Sequence, residues 1–162
     1  GFSNLTFTHH TKKKVMLEDI IVDGCGTHAG LFSLDGVSPC LDKQSLVVLR
    51  STAQNYHGNH TVCMTPNITA AHPGCGSSCG NGHEYVQLIV TESTFINISY
   101  SAVYTKNVEY QAVTKSTFCP CNTADPDNGK CVQMLTTFPD TFWEFSDNTF
   151  CQTGNHSLGV SV

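Results

Sequence analysis

Tyr85-Val86-Gln87-Leu88-Ile89-Val90-Thr91 and the alternating stretches that follow it decide the fold class. Ile96, Ile98, Tyr100 and Ala102 alternate with Asn97, Ser99 and Ser101, and Val108, Tyr110 and Ala112 alternate with Glu109 and Gln111. A period of two sends successive side chains to opposite faces, the pattern of a half-buried strand. Two such runs joined near Thr105-Lys106-Asn107 predict a β-hairpin with one buried face. Outward from this stretch, 15–22 reads as a strand that Asp23-Gly24 ends in a turn. Leu31 to Leu34 is a short apolar run, and 45–50 reads as a buried strand. Val132 to Thr137 reads as one more strand, and Asp140 to Phe145, after Pro139, as a short helical turn. No internal repeat, heptad or low-complexity tract is read. The sum predicts a mainly β fold, a disulfide-tied antiparallel β-sandwich or sheet domain with long loops.

Residues 51–83 break the pattern. They are rich in Gly, His, Cys, Asn, Thr and Pro, and they predict a disulfide-tied loop excursion from a single domain spanning 1–162. Within them, His57-x-x-His60-x-x-Cys63 and His72-x-x-Cys75-x-x-x-Cys79-x-x-x-His83 have spacings that can wrap a tetrahedral metal. In an oxidising compartment the same cysteines pair instead, so structural disulfides are expected and no metal.

Five acceptor sequons point to that compartment, at Asn4, Asn59, Asn67, Asn97 and Asn155. Chance placement of the chain's asparagines among its serines and threonines gives only about two matches to the acceptor pattern. N-linked glycans are the only attached groups expected, with no other cofactor, and each used site marks exposed surface. The nine cysteines are Cys25, Cys40, Cys63, Cys75, Cys79, Cys119, Cys121, Cys131 and Cys151. Their odd number leaves one free or paired outside this chain. Spacing suggests Cys25 with Cys40, Cys63 with Cys75 or Cys79, and a second cluster of Cys119, Cys121, Cys131 and Cys151 whose connectivity stays open.

The net charge is −5, with 13% charged residues and one arginine, Arg50. Nucleic-acid partners are therefore not expected, and Lys12-Lys13-Lys14 reads as a solvated strand entrance. No apolar run reaches the roughly 20 residues that span a bilayer. The chain starts at Gly1 without a leader pattern and closes on Leu158-Gly159-Val160-Ser161-Val162, read as a strand stopped midway. These features predict an extracellular fragment of a longer precursor, anchored through a segment outside it.

Catalysis has little footing: there is no Gly-x-Ser-x-Gly elbow, and Glu18, Asp19, Asp23, Asp35 and Glu92 form no readable pair. An enzyme is not expected and no catalytic residue is assigned. Aromatic residues on loops suit binding better. Phe142, Trp143 and Phe145 are the candidate contact anchors, set against core packing, with Tyr56, Tyr104 and Phe118 as weaker ones. Loops 119–131 and 140–150 carry no sequon and form the candidate contact patch.

Ser33-Leu34-Asp35-Gly36-Val37-Ser38-Pro39-Cys40-Leu41-Asp42, followed by the apolar run 45–49, resembles the strand entry in receptor-binding domains of coronavirus spikes. Phe118-Cys119-Pro120-Cys121 is similar to cysteine-rich insertions there. The resemblance implies a viral attachment domain on the virion surface, part of a homo-oligomeric spike, binding a host-cell protein receptor or sialoglycan through loops. Two alternatives stand beside it: a cellular secreted or receptor-ectodomain binding module, and a secreted zinc-dependent hydrolase.

Overall fold

The computed structural model describes residues 5–7, 13–28, 30–35, 44–65, 86–106, 108–124, 130–135 and 141–151. The chain first forms three strands, Leu5–Phe7 (β1), Lys13–Glu18 (β2) and Ile21–Thr27 (β3). Phe32–Asp35 (β4), Gln44–Leu49 (β5) and Thr52–Tyr56 (β6) follow, then His60–Thr65 (β7), Val86–Thr91 (β8) and Thr94–Ile98 (β9). Ser101–Lys106 (β10), Tyr110–Thr114 (β11) and Thr117–Phe118 (β12) come next, and Val132–Leu135 (β13), Phe142–Ser146 (β14) and Thr149–Phe150 (β15) complete the series. Strands three apart in sequence are neighbours in space. Sheet A runs β1-β4-β7-β10-β13, sheet B β2-β5-β8-β11-β14, and sheet C β3-β6-β9-β12-β15. Their ladders are all parallel. A chain that visits three sheets in turn and returns parallel to itself is a parallel β-helix, here of five coils.

This corrects the expected antiparallel sandwich. Alternation is visible in the sequence, but it fixes only which side chains face inward and leaves the partner strand open. The expected hairpin is split: β10 lies in sheet A and β11 in sheet B, each paired with strands of other coils. The expected strand 15–22 bends at Asp19-Ile20, and the helical turn expected over Asp140 to Phe145 is strand β14 from Phe142 on, with 140 outside the described residues. Thr52–Tyr56 and His60–Thr65, inside the expected loop excursion, are strands, while 66–85 lie outside the described residues.

The register reveals a repeat that the sequence reading missed. Leu46-Val47-Val48-Leu49-Arg50-Ser51-Thr52-Ala53 stacks on Leu88-Ile89-Val90-Thr91-Glu92-Ser93-Thr94-Phe95, which stacks on Gln111-Ala112-Val113-Thr114-Lys115-Ser116-Thr117-Phe118. Copies starting at Val15 and Trp143 flank these three. The corner from sheet B to sheet C takes two residues in every coil. The first of them is always left-handed: Asp19 (φ 52°), Arg50 (45°), Glu92 (51°), Lys115 (49°) and Asp147 (55°). A side chain in that region costs roughly 1–2 kcal/mol. Glycine avoids that strain but loses about 0.5–1 kcal/mol of chain entropy. Lys115→Gly, at an exposed corner, is therefore expected to raise stability by roughly 0.5–1 kcal/mol, read as a higher urea midpoint at unchanged slope.

The second corner residue holds neighbouring coils together. The backbone N–H groups of Ile20, Ser51 and Ser93 donate to the hydroxyls of Ser51 (3.3 Å), Ser93 (3.2 Å) and Ser116 (3.2 Å), and Ser116 N–H donates to Asn148 Oδ1 (2.9 Å). The Ser93 hydroxyl in turn donates to the Thr91 (2.9 Å) or Val48 (3.3 Å) carbonyl. Ser51, Ser93 and Ser116 are all buried. Ser93→Ala leaves the Ser51 N–H without its acceptor, and burying an unpaired donor costs about 1–3 kcal/mol. Chemical unfolding should show that loss, and a change below about 0.5 kcal/mol, the usual range for surface substitutions, would contradict the ladder's role.

Inside, like stacks on like. Leu46 and Leu88 form one column and Val48, Val90 and Val113 another. In sheet C the rings of Phe95, Phe118 and Phe150 stack at 5.1 and 5.0 Å, close to the roughly 4.8 Å strand spacing. Gln111 is a large polar side chain buried in the core, and the hydroxyl of Thr105, also buried, donates to its Oε1 at 2.5 Å. Two disulfides, Cys119–Cys151 and Cys121–Cys131, join the second cysteine cluster, with Cα separations of 4.9 and 5.5 Å. The first ties the C strands of the last two coils, and the second closes the excursion between β12 and β13.

Candidate functional site

Short turns bring the chain from sheet C back to sheet A, and in successive coils these turns stack into a corner that runs along the axis. Backbone bonds fix the stack. Leu31 N–H donates to the Thr61 carbonyl (2.8 Å), Ser101 N–H to Asn59 (3.2 Å), Ser99 N–H to Tyr56 (3.0 Å) and Asn122 N–H to Tyr100 (3.1 Å). A Cβ at Gly30 would collide with the His60 carbonyl oxygen, so only glycine lets the first of these turns pass so close to the next.

Two clefts of mixed polar and apolar lining open on this corner. The larger, about 510 Å³, is lined by His28, Gly30, Phe32, His57, Gly58, Asn59, His60, Cys63 and Tyr100. The smaller, about 230 Å³, shares Asn59, His60 and Tyr100 with it and adds Ser101, Asn122, Lys130 and Gln133. Together they form one groove across four successive corners, roughly 14 Å long at the spacing of parallel strands.

The groove's chemistry is donor-rich. Lys130 supplies an ammonium donor, the amides of Asn59 and Gln133 offer both donors and acceptors, and three imidazoles add ring nitrogens. No Asp or Glu is among the described lining residues. His28 Nδ1 donates to the His57 carbonyl at 3.3 Å, and the two rings meet edge to face. The His60 ring stacks on Tyr104 with centroids 4.1 Å apart. Burial holds the His60 imidazole below its ordinary value, and its Nδ1 is buried without a hydrogen-bond partner among the described residues. Tyr100 keeps 39% of its surface exposed over both clefts.

The residues expected from sequence fall into three places. His57, His60 and Cys63 do share a cleft, yet among the described residues no three His, Cys, Asp or Glu side chains converge as a metal-ligand set. His72, Cys75, Cys79 and His83 lie outside the described residues, as do Cys40, Asn4, Asn67 and Asn155. Cys25 is exposed at the end of the first coil, without a disulfide partner among the described residues. Phe142, Trp143 and Phe145 sit on β14 at the last coil of sheet B, away from the groove's corner. Phe142 is 54% exposed and stacks on Tyr110, Trp143 is 42% exposed, and Phe145 packs against the core. Of the weaker candidates, Tyr56 and Phe118 are buried in the core, while Tyr104 stacks beside the groove.

Asn97 lies on sheet C in a polar ladder. Its Nδ2 donates to Asn55 Oδ1 (2.8 Å), and Asn55 Nδ2 donates to Asp23 (3.1 Å). Gln54, the Cys25 N–H and Asn55 all donate to the Asp23 carboxylate and hold it down to about 2. The sequence reading named neither Tyr100 nor Gln133 as a contact residue and placed Asn122 and Lys130 only within the candidate loop 119–131; Tyr100 sits at the corner between β9 and β10, and Asn122 and Lys130 sit at the same corner between β12 and β13, with Gln133 just beyond on β13. Only the repeat would have exposed that shared position.

Fold and groove define the class: a disulfide-tied parallel β-helix with a groove along one corner whose described lining holds no carboxylate. Compared with protein-family models, curated proteins and solved structures, the chain matches none.

Proposed function

We propose that this protein is an extracellular binding module that holds an extended acidic saccharide in the corner groove. The groove's composition carries this reading: amides, imidazoles and Lys130 face it, an exposed tyrosine overlooks it, and no carboxylate is among its described lining residues, in a chain whose net charge is −5. A cationic, donor-rich strip on an acidic protein selects for anionic, hydroxyl-rich ligands. Tyr100 offers an apolar face with a polar tip, the surface against which a sugar ring can lie. Glycosidic cleavage ordinarily needs two carboxyl groups flanking the bond. The described lining supplies neither, which favours binding over hydrolysis. The sequons and disulfides support a secretory route.

This is the surface-glycan form of the attachment role expected from the sequence. A viral owner predicts a fusion subunit in the same precursor, and a cellular owner does not.

Calorimetric titration with a short uronic-acid oligosaccharide and its neutral counterpart tests the reading. The acidic probe should bind more tightly, and more weakly as salt rises. Lys130→Ala removes a charged hydrogen bond worth about 1.5–3 kcal/mol, so affinity should fall about tenfold or more. Tyr100→Ala should cost about 1 kcal/mol. Equal binding of both probes, or none, would sink the reading.

A further inference from the structure

We infer that Asn59 carries an N-linked glycan whose first sugar lies in the corner groove, so that glycosylation at this one position governs access to it. Asn59 opens the sequon Asn59-His60-Thr61. It is also a wall residue of both clefts, at the point where they join beside His60 and Tyr100. Its side chain is exposed and has no hydrogen-bond partner among the described residues, while its carbonyl accepts from Ser101 N–H at 3.2 Å. The backbone is thus pinned and the amide left free at the groove's midpoint. Asn97 is the contrasting case: also exposed and in a sequon, it spends its Nδ2 on Asn55 and lines neither cleft.

The chemistry is the ordinary transfer of the secretory pathway. The donor is an oligosaccharide held on a lipid pyrophosphate. A bond forms from Asn59 Nδ2 to the anomeric carbon, the bond from that carbon to the pyrophosphate oxygen breaks, and the amide proton leaves to balance the departing lipid pyrophosphate. The secondary amide that results keeps one N–H. Because the attachment atom is itself part of the groove wall, the first sugar begins inside the groove, with Tyr100 and His57 in reach. A combined space of this size falls within the roughly 300–1,000 Å³ of small-molecule sites. The other sequons can shield surface, but this one would fill the binding surface.

The occupancy of the groove does not depend on the proposed function. The consequence does: a tethered glycan competes with a free saccharide for the same wall.

The test uses the chain secreted from a glycosylating host, as wild type and as Thr61→Ser, which keeps the sequon, alongside Asn59→Gln and Thr61→Val, which abolish it. Thr61 is fully buried and its hydroxyl has no partner among the described residues, so valine suits the site, and the two abolishing variants check one another. Peptide mass spectrometry reads occupancy at Asn59, and hydroxyl-radical footprinting reads the exposure of Tyr100. Wild type and Thr61→Ser should be occupied, with Tyr100 oxidised several-fold more slowly than in the two variants that lack the sequon. An unmodified Asn59, or a Tyr100 equally reactive with and without the glycan, overturns the inference. A protected Tyr100 together with a uronic-acid oligosaccharide that binds no variant upholds the inference and removes the proposed ligand class instead.

Discussion

Phe118→Ala should destabilise the protein by about 3–5 kcal/mol, the usual loss when a buried phenylalanine is truncated. Phe118 is fully buried between Phe95 and Phe150, with ring centroids 5.1 and 5.0 Å away. Its removal takes a ring from the middle of a three-ring stack and opens a cavity between coils that cannot slide together, because the serine ladder beside it fixes their spacing. A domain typically holds only 5–15 kcal/mol in reserve, so much of the population would unfold on modest warming. Phe142→Ala is the control. That ring is 54% exposed and, among the described residues, stacks on one aromatic neighbour, Tyr110, and the change should cost about 1 kcal/mol or less. Comparable losses at the two positions would contradict the stacking of coils.

The second large effect is the loss of the Cys119–Cys151 disulfide. The bond spans 32 residues of sequence. Closing a loop of that length is worth about 3–4 kcal/mol in the chain-entropy model. Cys119→Ser with Cys151→Ser should lower stability by that amount and loosen the last coil first, because the bond joins its C strand to the coil before it. Hydrogen exchange should then show protection lost at 142–150 before 94–98. The Cys121–Cys131 bond closes a shorter excursion of 10 residues and should contribute about 2–3 kcal/mol. It also holds the turn that carries Lys130, so its removal should weaken saccharide binding beyond its effect on stability. Equal loss of protection in all coils would show that the first bond does not act locally.

Much of the strand content could be read from the chain, because 45–50 and 85–91 are apolar runs and 96–102 and 108–112 alternate, and both patterns are local properties. Pairing was not legible in the same way. A parallel coil and a hairpin present the same alternation, and the choice between them lies in Arg50, Glu92 and Lys115, whose left-handed backbone turns the chain into the next sheet. No glycine marks those corners, so the usual signal for positive φ is missing. The recurring Thr-x-Ser-Thr-Phe of Thr91 to Phe95 and Thr114 to Phe118 was the available clue. It was hidden because insertions of different length separate the copies. The groove was less legible still: His57 and His60 attracted notice as metal ligands, but the corner that joins them to Tyr100 and Lys130 exists only once the coils are stacked.

The most direct measurement of the central claim is a backbone-amide NMR titration of the Thr61→Val protein with a uronic-acid oligosaccharide. Shifts should cluster at 57–60, 99–101 and 130–133, from three turns far apart in sequence and adjacent along one corner. Shifts confined to 142–145 on sheet B, or no shifts at all, would contradict it.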